Sequence, residues 1–491
     1  MKKVLLSILL LIVFTYGILL IPDTSSINIE SEGNSYPFVW NQDERWDELE
    51  NLFTRANTED PAIIAQQVEE KEQLIEALLN SLSESEFQAN DPRLGGLLDN
   101  FFEIAPLIAV QNNQEKKLTD IYNRARRMIK DQSVNWDIED LSTRNYLYKV
   151  LYGMRATVEE VLLQSDQEID PVLYVKEEVS ATPSTTILGI KVHSGDLLVS
   201  RGGAAVSALI SRGNDFPGNF SHVALIYVEE GTNIPYLVEA HIERGVAIAT
   251  LEEYIKDRKL RFMVLRPRAD LPQILENPML PHIAAKEIYE EVQQRHIPYD
   301  FKMNFFDPEA MFCSEVGSYT YKNNGIQLWQ SESTISSYGV VTLLNTFGVE
   351  NFVTQMPSDL EYDPQLSVVA EWRNSEALFD DHLYNAVIDA MLECADKGEE
   401  IEYNAFLLPV VRTLKGYSVI KNKMGSEGPV PEGMSATQAL KSDAFIGRHE
   451  FLKEKTLEKA KLFEDNEGYT PPYWELVKLA RESADCVANR N

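Results

Sequence analysis

Ser221-His222-Val223-Ala224-Leu225-Ile226 begins a run of four short apolar segments: His222–Val228, Tyr236–Ala240, Val246–Thr250 and Leu260–Leu265. Each is rich in aliphatic and β-branched residues and bounded by turn formers, which is the pattern of short strands. The connections Glu229-Glu230-Gly231 and Glu243-Arg244-Gly245 are brief and contain glycine, as hairpin turns do. Four consecutive strands joined this way imply a mainly antiparallel sheet. Upstream, Gly195-Asp196-Leu197-Leu198-Val199-Ser200 reads as a turn followed by a buried strand, and Gly202 to Arg212 as a short helix. Downstream come helical patterns over Pro281–Gln294 and Glu315–Tyr321. The middle of the chain is therefore α+β, with a sheet at its centre and helices before and after it.

Chemistry concentrates in and just after this segment. Cys313, in Phe312-Cys313-Ser314-Glu315-Val316, stands at the start of an expected helix, where the macrodipole favours a thiolate. A nucleophilic cysteine needs a base and a group that orients the base. His222, at the entry of an apolar strand, is the candidate base. Glu239 interrupts Tyr236-Leu237-Val238 and Ala240, and a carboxylate in a buried strand is costly unless paired. His241 lies two residues on, hence on the same strand face, and competes with Glu239 as the orienting group. Each residue also has a plain structural reading: a small buried thiol, a hydrogen-bonded edge histidine, a surface carboxylate. His222, Glu239 and His241 also have the composition of a two-histidine, one-carboxylate metal set, but no tight ligand motif accompanies them, and neither metal nor cofactor is expected.

The totals are those of a multidomain globular chain: 491 residues, 44% hydrophobic and 25% charged. The net charge of −32 argues against nucleic acid as partner and against a broad basic membrane-binding face. Lys2 and Lys3 precede a nearly continuous apolar run, Val4 to Ile21, read as a signal peptide or an N-terminal membrane anchor over residues 1–22. The lysines place the N-terminus in the cytoplasm and the bulk of the chain outside, in the periplasm or cell envelope. A linker covers 23–40. Helical spacing fills 41–166, where Ile63, Val68, Leu74, Ala77 and Leu78 mark one helix and Tyr146, Val150, Met154 and Val158 another; its charges are expected on solvated faces. A second helical region, 340–491, includes Leu383, Val387, Met391 and Cys394 on one face. Of the three cysteines, Cys394 and Cys486 both lie in that region and are available to pair in an oxidising compartment, leaving Cys313 free; three free thiols is the alternative.

Taken together, Gly195-Asp196-Leu197-Leu198, Ser221-His222-Val223-Ala224-Leu225, Val238-Glu239-Ala240 with Gly245-Val246, Tyr299-Asp300 and Phe312-Cys313-Ser314-Glu315-Val316 resemble the YiiX/YebB group of the NlpC/P60 superfamily. These are circularly permuted papain-like cysteine hydrolases in which histidine precedes cysteine. The resemblance implies a permuted papain-like domain over 180–335, flanked by all-α regions. It implies Cys313 as nucleophile, His222 as base and Glu239, in preference to His241, as third member. The amide of Cys313 or Ser314 would contribute to an oxyanion hole, Tyr299 and Asp300 would line the cleft, and Asp196 would be structural. The expected function is an exported hydrolase cleaving an amide in a peptide, a peptidoglycan stem or an N-acylated molecule through a thioester. The rivals are a lipid acyl hydrolase or acyltransferase on the same residues, and a non-catalytic envelope scaffold. The helical flanks are candidates for a lid, a protein-partner surface or an inhibitory segment.

Overall fold

The computed structural model describes residues 2–23, 37–38, 43–111, 114–165, 170–305, 307–424 and 426–486. Most of the expected linker, 23–40, lies outside them. The side chains of residues 2–9 and 12 also lie outside the description, although Lys2–Leu19 is helical. Among the described residues, no helix is long and apolar enough to cross a membrane.

Seven strands form the central sheet: β1 (Val172–Tyr174), β2 (Leu197–Gly202), β3 (His222–Val228), β4 (Pro235–His241), β5 (Gly245–Thr250), β6 (Lys259–Pro267) and β7 (Leu366–Arg373). Their order is β1-β7-β6-β2-β3-β4-β5, and every neighbouring pair is antiparallel. The hairpins β3–β4 and β4–β5 follow directly from the short glycine turns. Alternation sorts the side chains. Leu197, Val199, Val223, Leu225, Val238 and Met263 join one core with Ile288, Val316 and Tyr321, from the helices Leu280–Gln294 and Cys313–Asn323. Leu198, Ala224, Ile226, Leu237 and Val264 face the other way, onto Ile187, Ile190 and Val192 of a small hairpin. Both faces are covered, so the strands read as apolar runs rather than strict alternation.

One boundary differs from expectation. The sheet is not contained in 180–335: β1 precedes that range, and β7 lies within the region expected to be helical. β7 pairs with β6 from Leu366↔Pro267 to Arg373↔Arg261, and β1 pairs in turn with β7. No hairpin turn joins β7 to its partner, so no local signal marks it. The run Leu366-Ser367-Val368-Val369-Ala370 is nonetheless β-branched and buried.

The N-terminal helices Asp43–Ala56, Pro61–Ser83, Pro92–Gln111, Glu115–Gln132 and Leu141–Gln164 share one apolar core. The buried stripe of the second is Ile64, Val68, Ile75, Leu79 and Leu82, while Ile63 and Leu74 face solvent. Val150, Met154 and Val158 are buried as expected, and the helix that carries them is capped by Asp140, whose carboxylate accepts the Thr143 amide at 2.8 Å. In the C-terminal region Leu378–Asp396 packs against Ala436–Glu467 and Tyr473–Ala484, with Leu383, Val387, Met391 and Cys394 in the shared core. Cys394 and Cys486 form a disulfide across 92 residues, and Cys313 is the free cysteine.

The bundle's charges are not all solvated, contrary to expectation. Arg126, Lys130, Arg155 and Glu159 are buried because opposite charges and carbonyls arrive from far along the chain. Arg126 Nη1 lies 2.5 Å from Glu371 Oε1 of β7, and Arg155 binds both Glu361 (2.7 Å) and Glu371 (3.0 Å). Glu159 takes Arg261 of β6 at 2.5 Å, Arg261 also binds Asp381 at 2.6 Å, and Lys130 donates to the Asp363 carbonyl. Bundle, sheet and the helix Leu378–Asp396 thus meet through paired buried charge. Removing one partner strands the other in a dry interior, which costs about 3–5 kcal/mol. Arg155→Met is therefore expected to destabilise the protein by about that much in urea unfolding. Adding Glu361→Leu is expected to recover part of the loss, because the stranded carboxylate is then gone.

Candidate active site

The strand register dictates most of the site. Ala224 pairs with Glu239, so Glu239 lies diagonal to His222 on the same face of the sheet. His241 follows on that face two residues later. His222 Nε2 is 2.6 Å from Glu239 Oε2, and His241 Nε2 is 3.0 Å from Glu239 Oε1. One carboxylate thus holds two imidazoles, one on each oxygen. Arg244 Nη2 also approaches His241 Nε2, at 3.4 Å. That nitrogen cannot donate to Glu239 and accept from Arg244 in the same tautomer, and the shorter contact assigns its proton to Glu239. In the sequence Arg244 is legible only as part of the turn Glu243-Arg244-Gly245, three residues after His241.

Cys313 reaches the same place from the opposite face. The helix Cys313–Asn323 packs on the Val223/Leu225/Val238 side, and its first residue comes to the start of β3. Cys313 is buried, and its Sγ lies 3.8 Å from the Ser221 carbonyl, one residue before His222. Because His222 gives Nε2 to Glu239, its Nδ1 is left for the sulfur. Two short-range devices fix the approach. Pro298 O accepts the Met311 amide at 3.0 Å and Met311 O accepts the Asp300 amide at 3.2 Å, so the Tyr299–Asp300 segment runs alongside the entry to the helix. Val246 N donates to Ile297 O at 2.9 Å, and Gly245 beside it has φ +75° with room for no side chain: a Cβ would stand 2.1 Å from that carbonyl. The turn glycine thus lets the 297–300 segment lie against the edge strand.

The charge distribution is uneven. Burial opposes a charged His222, but its hydrogen bonds to Cys313 and Glu239, with the charge of each, outweigh burial and push the imidazole up to about 9. Burial likewise works against the Glu239 carboxylate, yet hydrogen bonds from His222 and His241 hold it well below the usual carboxylate range. Glu315 behaves in the opposite way. Its Oε2 accepts the Phe312 amide at 2.9 Å, but burial, reinforced by Asp300, Cys313 and Asp307, pushes it up to about 9, so it is a neutral acid at neutral pH. Burial, then the neighbouring Cys313, pushes the Tyr299 phenol well above its ordinary range.

The other candidates fall into place. Asp300 spends its carboxylate on the amides of Lys302 (2.8 Å) and Asn304 (2.5 Å), which makes it a loop cap. Ser314 is buried, and its hydroxyl has no hydrogen-bond partner among the described residues. Asp196 takes Arg266 in a two-pronged pair, 2.8 Å on each oxygen, and caps the His193 amide at 2.7 Å. This is the structural role expected of it. Among the described residues, the group whose ligand atoms lie within 4.8 Å of one another is Cys394, Glu399 and Cys486, two of them joined in the disulfide.

His222 has a measurable signature. It binds its proton more tightly in the folded chain than at its ordinary value of 6.5. Its contribution to stability is therefore complete below about pH 6.5 and is lost as pH rises through about 9. An imidazole NMR titration is expected to show that midpoint, and Glu239→Gln to move it back toward 6.5. An unchanged midpoint in Glu239→Gln would mean that the carboxylate does not hold the charge.

Residues 191–370 match the model of the permuted papain-like amidase enzymes, YaeF/YiiX, C92 family, and the match ends inside β7. Among solved structures, the metalloprotein YiiX from Escherichia coli O157:H7 is 20% identical, covering 37% of this chain and 98% of that one. The TM-score of that pair is 0.30. No curated protein matches the chain. Residues 191–370 thus form a domain of the permuted papain-like amidase family, a hydrolase of the cysteine peptidase and amidase type.

Proposed function

We propose that this chain is an exported cysteine hydrolase that cleaves an amide through a thioester on Cys313. The carrying observation is the 2.6 Å contact between His222 Nε2 and Glu239 at the point where the Cys313 helix begins. A positive imidazole and a helix start both favour negative charge on Sγ. The sulfur attacks the carbonyl carbon, and a C–S bond forms as the carbonyl electrons move to oxygen. The backbone amides of Cys313 and Ser314, at the helix start, would receive that oxyanion. When the tetrahedral species collapses, the C–N bond breaks and His222 gives its proton to the departing amine. Water, deprotonated by the now neutral His222, then attacks the thioester and releases the acid, which restores the thiolate and imidazolium. Glu239 holds the ring and balances its charge throughout. A neutral Glu315 adds no negative charge beside the nucleophile.

Export rests on Lys2, Lys3 and the apolar run behind them, as a signal peptide or a membrane anchor. The Cys394–Cys486 disulfide supports an oxidising compartment, and so cell-envelope material as the source of substrate: a peptide, a peptidoglycan stem or an N-acyl amide.

The test is alkylation of Cys313 against pH, followed by amine release from N-acyl and peptide amides. Cys313 is expected to react at pH values where a free thiol, with a pKa of about 8.5, is almost inert, and His222→Ala to abolish that advantage. Cys313→Ser is expected to remove turnover. Glu239→Gln should lower kcat by roughly a hundredfold or more, and His241→Ala by much less, since only the former removes the partner of His222. A wild-type Cys313 that alkylates no faster than a peptide thiol would sink the enzymatic reading and leave the scaffold. Release of fatty acid with no amine would instead assign a lipid ester as substrate.

A further inference from the structure

The helix Leu408–Lys423 and the turn before it carry an apolar stripe that no described residue covers. Phe406, Val410, Leu414, Tyr417, Ile420 and Met424 recur every three or four residues and share one face. Their side chains are between 41% and 78% exposed. Large apolar side chains so concentrated on a surface mark an interaction site. The stretch is also an electrostatic exception. Between Glu402 and Glu427 there is no acidic residue, while Arg412, Lys415, Lys421 and Lys423 are basic, in a chain of net charge −32.

Two of these cations are already committed. Lys415 donates to the carbonyls of Met434 and Glu432. Arg412 donates to the carbonyls of Leu19 (2.8 Å) and Ile21 (2.7 Å) and pairs with Asp23 at 2.9 Å. It thereby closes the C-terminal end of the helix Lys2–Leu19, which packs beside Leu408–Lys423. Tyr16 Oη adds a bond to the Phe406 carbonyl at 3.0 Å. On that neighbouring helix Leu10, Leu11, Val13, Phe14 and Ile18 are at least half exposed. Two apolar surfaces therefore lie side by side. Lys421, set over the Tyr417 ring, and Lys423 remain at the far end of the second.

We propose that Leu408–Lys423 is an in-plane membrane contact, lying on a bilayer surface that carries anionic headgroups. The stripe enters the acyl boundary, while Lys421 and Lys423 stay at headgroup level. Charge complementarity and continuity with the apolar N-terminal helix single out this occupant. The contact stands apart from the chemistry at Cys313 but fixes where that chemistry occurs. Ser418 Oγ accepts the Val430 amide at 2.9 Å, and Glu432 Oε2 lies 2.9 Å from His296 Nε2. Gly433 abuts Phe301, whose ring would stand 2.6 Å from a Cβ there. The membrane-facing helix is thus braced against the 296–301 segment at the rim of the site.

The N-terminal helix would bind vesicles by itself, so the test must report on position 417 locally. In full-length Cys313→Ser protein, Tyr417→Cys carries a nitroxide, as does Glu454→Cys at an exposed site on another helix. Collision rates with oxygen and with a water-soluble nickel complex are compared on vesicles of phosphatidylcholine with phosphatidylglycerol. Thermal transitions matching that of Cys313→Ser establish folding. On these vesicles, label 417 is expected to lose nickel accessibility several-fold and gain oxygen accessibility, while label 454 stays aqueous. Vesicles of phosphatidylcholine alone should give a smaller effect. An aqueous label 417 on protein that has bound the vesicles would overturn the proposal. Protection of label 417 from both reagents without vesicles would also overturn it, by assigning the face to a second copy of the chain.

Discussion

Paired charge withdrawn from water is the constraint on which the architecture depends. Glu371 on β7 faces Arg126, Arg155 and Arg373, and Glu159 on the bundle faces Arg261, Arg373 and His382. None of these groups is tolerable alone at such depth. The bundle cannot leave the sheet without exposing a set of unmatched ions to a dry interior, and the helix Leu378–Asp396 is bound by the same condition through Asp381 and His382. A smooth apolar interface would permit sliding between the parts; fixed ion pairs specify a register. The flanks are in this sense structural members of the hydrolase domain, and their charge pattern explains why the sheet spans a range wider than its catalytic motifs.

The site applies the same electrostatics on a smaller scale, with different outcomes for similar groups. Glu239 and Glu315 are both buried carboxyl groups of the site. Glu239 has two imidazoles and stays ionised. Glu315 has one backbone amide and acidic neighbours, and holds its proton. The result is a carboxylate and an imidazolium in contact, with His241 on the other carboxylate oxygen and the neutral Glu315 and Tyr299 beside Cys313. The doubly bonded Glu239 has no free oxygen with which to rotate away, which keeps His222 in one orientation.

What the sequence disclosed follows the range of the interactions involved. The strands from β2 to β6 and their hairpins were legible because each is written within a few neighbouring residues. The need of Glu239 for a partner was legible because a carboxylate among Tyr236, Leu237, Val238 and Ala240 conflicts with its surroundings. β7 was not legible, because its pairing with β6 joins segments about a hundred residues apart with no turn to announce it. The buried arginines were not legible either: Arg126 lies 245 residues from Glu371. On its own helix it has the spacing of any solvated charge. The exposed stripe on Leu408–Lys423 shows the converse, a helix whose periodicity promises burial that the described residues do not supply.

The placement of β7 has a consequence for how the protein comes into being. His222 and Glu239 leave the ribosome before Cys313, and the strand that completes the sheet emerges last. Until residue 373 is available, β6 has an open edge and Arg126 and Arg155 lack their counterions. A chain that has emerged only as far as Cys313 therefore carries an unpaired strand edge and uncompensated cations, features of association-prone intermediates. The sheet and its paired charge are thus completed only at residue 373 of 491, after the segments that carry His222, Glu239 and Cys313 have all been made.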